Sequence, residues 1–536
     1  MKKVLFFSTM LVTAMQIQAQ PATQDTYIGA ALATEDLNGT ARYVGMGGAM
    51  DALGAEISTM GSNPAGIGLF RKNQVSASMS VVSQEGGKTF QNGSKTHVSF
   101  DQVGVVFSSR TGKTSYLNFG FNFHKNRNFN HVLSAENVAL NGSSQNLQTV
   151  TKFLPEIVCG YLPKEIEQAS TTQLDWLYLD MLYDKDEGNY YSYEGKDYTF
   201  TRSNTGYIGE FDFNISGNIK NRLYLGLTVG VHNVNYKNYS EYYETLKNES
   251  DLYYDDLIVK NDHKITGTGF NVKAGLIFRP VDESPFRIGL SVSSPTFYKL
   301  TTENYTELDN SYEVFSINHK QDFRFNTPWK FGLSLGHTIS NYIALGAVYE
   351  YADYGACDMR TIDGGYYDWY YYDTYSEKSS TDNVMKRHIE QTLKGVHTFK
   401  IGGEFKVDNN IALRLGYNHV TPMYEENGVR DQRLESTGVY YASSTHYVNW
   451  KDTNRITAGV GFSFDKFRLD LAYQYSSRKG DFYPFMKDIS NRVEVKTYDS
   501  DNNIIGTDVV TESNHCDAVS VKDNRHQIQA SLTYTF

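Results

Sequence analysis

RITAGVGFSFDKFRLDLAYQYS, residues 455–476, alternates between apolar and polar positions, turns on two residues, and alternates again. Ile456, Ala458, Val460, Phe462 and Phe464 share one face. Phe467, Leu469, Leu471, Tyr473 and Tyr475 share the next, and only Asp465-Lys466 separates the two runs. Successive side chains of a strand point to opposite faces, so each run reads as a strand with one apolar side, and the two-residue link as a hairpin. The C-terminus repeats the pattern: HQIQASLTYTF puts Ile528, Ala530, Leu532, Tyr534 and Phe536 opposite Gln527, Gln529, Ser531, Thr533 and Thr535. Similar runs lie near 74–83, 97–109, 114–124, 206–217, 222–233, 266–279, 286–295, 323–338, 342–354, 396–406 and 410–420, which makes fourteen strands. Most have about ten residues, the length a tilted strand needs to cross a bilayer.

The links between strands alternate in length. Short ones follow 108 (SRTGKT), 217 (NIKN), 278 (RPVDESP), 338, 406 and 464, while long ones occupy roughly 125–205, 234–265, 296–322, 355–395, 421–452 and 478–524. A soluble β-sandwich has no reason to gather its long links at one end. An outer-membrane barrel does, with short periplasmic turns, long extracellular loops and an even strand number. The fold class expected is therefore all-β: a transmembrane antiparallel barrel of about 14 strands, with strand one paired to the strand ending at Phe536. Closure follows because an unpaired strand edge in lipid costs several kcal/mol per backbone group.

The two faces differ as a barrel requires. One is rich in Leu, Val, Ile and Phe, with Trp329, Tyr349, Tyr351, Tyr473 and Tyr475 near strand ends as an aromatic girdle. The other carries Lys400, Glu404, Arg414, Arg468, Asp470, Glu210 and Asp212, charges that belong in a polar lumen. It also carries Gly120, Gly226, Gly230, Gly289, Gly332, Gly402, Gly416 and Gly459. Inward glycines leave space, so something is expected to fill it.

MKKVLFFSTMLVTAMQIQAQ at the N-terminus has a basic start, an apolar stretch and a small-residue cleavage site, which reads as a signal peptide over 1–19. The first cysteine is Cys159, so a lipoprotein anchor has no residue to use. With Cys357 and Cys516 it makes three, too few for a disulfide framework, and their pairing state stays open. A net charge of −11 argues against a nucleic-acid partner. VGMGGAMDALG (44–54) superficially resembles a dinucleotide fingerprint, but no βαβ unit follows it. The histidines are scattered without metal-ligand spacing, and no G-x-S-x-G elbow is present, so neither a cofactor, a metal nor an enzyme is expected. GGYYDWYYYDTY (364–375) and YSEYYETLKNESDLYY (239–254) read equally well as loops packing on one another or as an amphipathic landing surface.

An exported chain in which ARYVGMGGAMDALGAEISTMGSNPAGIGLF (41–70) runs into such a barrel ending in Phe resembles the FadL family of outer-membrane transporters of hydrophobic compounds, in its Bacteroidetes-type branch. SVSSPTFY (291–298) is similar to the Ser-Pro-Thr stretch of that branch. The resemblance implies that residues 20–70 fold into the lumen as a hatch ahead of a barrel over 71–536. Its motif would be Asn63, Pro64, Ala65 and Gly66, with Gly45, Gly47 and Gly48. Pro64 pushes Asn63 out of the helical region, so the tetrad would close a short hatch helix near Met50 to Ser58 and turn the chain into strand one. The resemblance also implies passive uptake of long-chain fatty acids or similar compounds, with a sideways exit through a wall gap at a kink in the third strand, where Gly120 stands. The partners it implies are a hydrophobic ligand, outer-membrane lipid and lipopolysaccharide, and the barrel-assembly machinery reading Phe536. The lumen charges exceed what a greasy conduit needs: they form a scaffold around the hatch or signal a more polar substrate. An adhesin, a haem- or ligand-binding receptor working through its Tyr-rich loops, and a general porin are the alternatives.

Overall fold

The computed structural model describes residues 6–7, 24–137, 140, 142–145, 183–184, 189–190, 194–247, 254–311, 314–368, 374–430, 444–485, 490–498 and 504–536. Apart from Phe6–Phe7, the expected signal peptide lies outside the described residues, as does Cys159.

A closed antiparallel barrel of 14 strands forms the wall. In chain order they are β1 (Gln74–Gln84), β2 (Thr96–Arg110), β3 (Tyr116–Asn128), β4 (Glu194–Ile219), β5 (Leu223–Lys247), β6 (Tyr254–Phe278) and β7 (Arg287–Ser293). Then follow β8 (Lys330–Ile339), β9 (Ile343–Asp353), β10 (Gly395–Lys406), β11 (Ile411–Val420), β12 (Tyr447–Phe464), β13 (Phe467–Tyr483) and β14 (Val519–Thr535). Each pairs with its successor, and β1 pairs with β14 (Val75↔Tyr534, Met79↔Ala530, Val81↔Ile528), which leaves the wall without an edge.

Side-chain alternation sorts the wall into two environments. On β1, Val75, Met79 and Val81 are exposed while Ser76, Ser78 and Ser80 are buried; on β5, Leu225, Leu227, Val229 and Val231 face out. A contiguous belt of exposed aliphatic and aromatic side chains is tolerated in lipid and not in water. No helix among the described residues is long and apolar enough to span a membrane, so the strands do the crossing. The Asp465-Lys466 link is a tight turn with Asp465 at φ +50, a conformation Asp adopts more readily than most residues.

The long links correct one expectation. Much of what read as irregular loop is strand: β4, β5 and β6 run 26, 25 and 25 residues, and the pairing of β5 with β6 holds from Leu223↔Phe278 to Lys247↔Tyr254. At about 3.3 Å per residue such strands rise roughly 80 Å, far beyond a bilayer. Hairpins Phe297–Asp309 with Val314–Asn326, and Asp358–Asp368 with Thr374–Thr381, extend the wall in the same direction. Prolines interrupt it at Ser294-Pro295-Thr296 and Thr327-Pro328-Trp329, where Pro cannot donate to a ladder.

Inside the wall runs the N-terminal segment. Asp25 caps α1 (Thr26–Ala33) by accepting from Ile28 N at 2.9 Å, and Thr40 caps α2 (Ala41–Gly45) by accepting from Tyr43 N at 3.1 Å. A third helix, α3 (Asn383–Thr392), comes from the link after β9 and is capped by Asp382. Met50–Ser58 is not a helix. Gly54 at φ +60 and Ala55 at φ +51 break the chain there, and a 3-10 turn covers Ile57–Met60.

Candidate functional site

The lumen is the one region where the wall, the N-terminal segment and the long links meet. At the short-turn end the segment lies directly on wall backbone. A Cβ added to Gly346, Gly402, Gly416 or Gly226 would overlap backbone atoms of Ala49, Met46, Gly47 and Pro64 respectively. Gly459 faces Gly45 with a little more room: a Cβ on it would meet Gly45 Cα at 3.3 Å. Gly47 and Gly48 hold φ values of +64 and +79, which turn the chain after α2. Asn63 does not close a helix. Extended at φ −135, it opens a 3-10 turn over Pro64–Leu69, with Pro64 in the first position and its own Oδ1 accepting from Ala65 N at 3.2 Å. The turn fits because Gly226 and Gly275 make room for Pro64 and Asn63.

Five of the seven charges picked out on the inward face, Lys400, Glu404, Arg414, Arg468 and Asp470, lie around the segment. The Glu404 carboxylate accepts from Arg42 Nε at 2.9 Å and Nη2 at 3.0 Å, and from Arg414 Nε at 2.7 Å. Arg414 reaches Asp470 at 2.8 Å, Asp470 takes Arg468 Nε at 2.8 Å, and Lys400 pairs with Glu350 at 2.7 Å. Arg42 belongs to α2, so this chain of charges ties the segment to β10, β11 and β13. A second buried set joins Lys273 to Glu210 and, at 3.3 Å, to Asp212, with His124 3.1 Å from Asp212. Buried charges persist when each has partners of opposite sign.

Above the segment the lumen holds two adjoining cavities. The inner one, about 210 Å³, is lined by charged and polar side chains, Glu35, Asp36, Asn38, His124 and Lys400 among them, together with apolar ones such as Leu37 and Val396. The outer one, about 150 Å³, is lined by Tyr27, Phe129, Tyr236, Tyr424 and Tyr447 and by arginines. Thr34, Arg127, Met423, Trp450, Arg478 and Arg525 line both and form the neck between them. Arg478 sits over the Trp450 ring at 4.1 Å, and Tyr27 of α1 stacks on Tyr424 at 4.9 Å. Behind this chamber α1 and α3 pack in an apolar cluster with Phe323, Phe325, Met359 and Ile389.

Farther toward the long-link end an apolar cap includes Tyr198, Phe200, Tyr242, Leu257 and Phe482. Residues 142–145 are pinned against it: Ser144 donates through its backbone N, at 3.3 Å, and through its hydroxyl to Glu244. Ser143 N donates to Asn514 at 2.8 Å. Burial pushes the Glu244 carboxyl up to about 7, against the pull of its serine donors.

Gly120 lies in unbroken ladder, paired with Val106 on one side and Asn214 on the other. It makes room for Met60, whose side chain a Cβ there would overlap, and the irregularity of β3 falls instead at Lys125/Arg127. Of the Tyr-rich stretches, Tyr242 joins the cap and Tyr239 donates to Glu241 at 2.7 Å, while 248–253 and 369–373 lie outside the described residues. Cys357 and Cys516 are free and buried, and burial raises both thiols, which keeps them protonated and unreactive. The arginines of the outer chamber and neck escaped sequence reading. They come from separate strands and links, and only extending the inward parity of β12, β13 and β14 past the apolar runs would mark Arg455, Arg478 and Arg525.

No family model and no curated protein matches the chain. Among solved structures it is similar to the toluene transporter TbuX of Ralstonia pickettii, at 12% identity over 93% of this chain and 99% of that one, with a TM-score of 0.47. The toluene transporter TodX of Pseudomonas putida is similar at 13% identity over 94% and 99%, with a TM-score of 0.48. A Pseudomonas aeruginosa FadL homologue is similar at 11% identity over 94% and 99%, with a TM-score of 0.46. What this barrel carries has to be read from its own lumen.

Proposed function

We propose that the chain is an outer-membrane channel of the FadL kind that takes up hydrophobic compounds, long-chain fatty acids among them, by passive movement. The observation that carries this reading is the occupied lumen. Residues 36–70 sit on wall glycines and are tied by buried ion pairs, so the barrel offers a blocked bore with an aromatic outer chamber above it. Such a layout favours ligands that gain from apolar burial, about 25 cal/mol per Å² removed from water, over small hydrophilic solutes. The segment acts as the hatch, its motif Asn63-Pro64-Ala65-Gly66 seated on β5 and β6, and the buried charges are its scaffold. The outer belt meets membrane lipid and lipopolysaccharide. Phe536, half exposed with its N–H bonded to Asn73 O at 3.0 Å, is the element the barrel-assembly machinery would read.

Deleting the gene from its host and following labelled long-chain fatty acid uptake tests the proposal. Loss of uptake, restored by the wild-type chain, is the expected result. Unchanged uptake of fatty acids and comparable greasy compounds, with altered surface attachment instead, overturns it in favour of an adhesin.

A further inference from the structure

The outer chamber and its neck hold more positive charge than the carboxylates of the described residues balance. Arg127, Arg202, Arg430 and Arg478 line the chamber with Arg525, and Arg455 stands below the neck. Among the described residues, three carboxylates answer these six guanidiniums. Asp25 is 2.8 Å from Arg430, Asp36 is 2.8 Å from Arg127 and 4.0 Å from Arg455, and Asp523 is 2.8 Å from both Arg478 and Arg525. Arg202 has no carboxylate and no hydrogen-bond acceptor among the described residues, and its Nε is buried without a partner.

A guanidinium stays charged at any working pH, so the surplus cannot be relieved by losing protons. Uncompensated charge in a protein interior is costly, and an anion seated among these side chains removes the cost. The surplus amounts to three charges, so one carboxylate would leave most of it standing. A dianionic group with three terminal oxygens suits several guanidinium forks at once. Tyr27, Phe129 and Tyr236 in the same chamber supply apolar surface for the rest of such a molecule. On the uptake reading above, we propose that this chamber is the seat of an amphiphile whose head carries two negative charges, of the phosphomonoester type, with Arg202 as a direct ligand of that head.

Calorimetric titration of the full chain in lipid nanodiscs at pH 8 tests this with octyl phosphate, octanoate, octanol and inorganic phosphate. Octyl phosphate should bind about tenfold or more tighter than octanoate, with octanol and inorganic phosphate weaker still. Arg202→Gln should cost octyl phosphate about tenfold and leave octanol unchanged, while Arg202→Lys keeps most of the affinity. Because Arg202 has no partner among the described residues to orphan, neither variant should lower the melting temperature. Octanol binding as tightly as octyl phosphate, inorganic phosphate matching it, or an unchanged affinity in Arg202→Gln overturns the dianion seat. If none of the octyl compounds binds at all, the uptake reading itself falls.

Discussion

Glu404→Gln removes a carboxylate that joins the N-terminal segment to two wall strands, and its consequence can be worked out in advance. Glu404 accepts two hydrogen bonds from Arg42 and one from Arg414. Taking one partner from a buried ion pair costs about 3–5 kcal/mol, because the remaining charge is stranded. Here the loss falls at the lower end. Arg42 keeps Glu56 at 3.8 Å, Arg414 keeps Asp470 at 2.8 Å, and glutamine can still accept once. About 3 kcal/mol of docking energy corresponds to roughly 150-fold in the ratio of docked to undocked segment. The wall ladders do not involve this side chain, so the barrel should remain closed. In planar bilayers Glu404→Gln should therefore show brief ion-conducting openings at least tenfold more often than wild type, with an unchanged β-sheet spectrum. Arg42→Met/Glu56→Gln/Glu404→Met, which removes Arg42 together with both carboxylates it answers, should restore much of the quiet behaviour. A Glu404→Gln channel as silent as wild type, with the segment equally protected from protease, would refute the idea that this carboxylate holds the hatch.

Gly346→Val pushes a side chain into the backbone of Ala49 and should expose residues 40–60 to protease while the barrel keeps its sheet content. Replacing Asn63-Pro64-Ala65 with three glycines removes the cap and the preset Pro64 φ, which should impair ligand uptake without unfolding the wall. Glu244 gives a pH dependence of definite sign. Its folded-state value, about 7, lies above the ordinary carboxyl value, so the folded cap holds a proton that an exposed glutamate gives up. The stability of the docked cap therefore falls as pH rises from about 4.5 through 7. Hydrogen exchange at 142–145, corrected for intrinsic rates, should lose protection between pH 5.5 and 8, and Glu244→Gln should flatten the change.

How much of this could be read in the sequence depended on which face a residue occupies. Strands whose outward side is Leu, Val, Ile or Phe declared themselves through a period of two, as β13 and β14 do, and the pairing of first strand with last followed from closure. Above the belt the outer face of the wall is wet, and the inner face mixes polar with apolar side chains. In YKNYSEYYETLK, residues 236–247, tyrosines and charges stand on both sides, and this outer half of β5 read as loop although its ladder is continuous. The inward glycines announced that something lies against them, but not which backbone atoms. Gly120 looked like a bend because a strand glycine often is one, whereas here it admits Met60. Charge pairing was beyond reach: Arg42 and Glu404 lie 362 residues apart, and no local spacing links them. The same holds for the chamber arginines, which become one site only when the barrel closes.

Liposome swelling with the purified protein addresses the blocked bore most directly. Vesicles containing wild type should swell in arabinose barely faster than empty vesicles. Vesicles containing a chain with residues 24–70 deleted, checked for an intact barrel by its sheet spectrum, should swell freely. Rapid swelling with the wild-type protein would mean an open aqueous path past the segment and a general porin, and would contradict the hydrophobic-uptake reading.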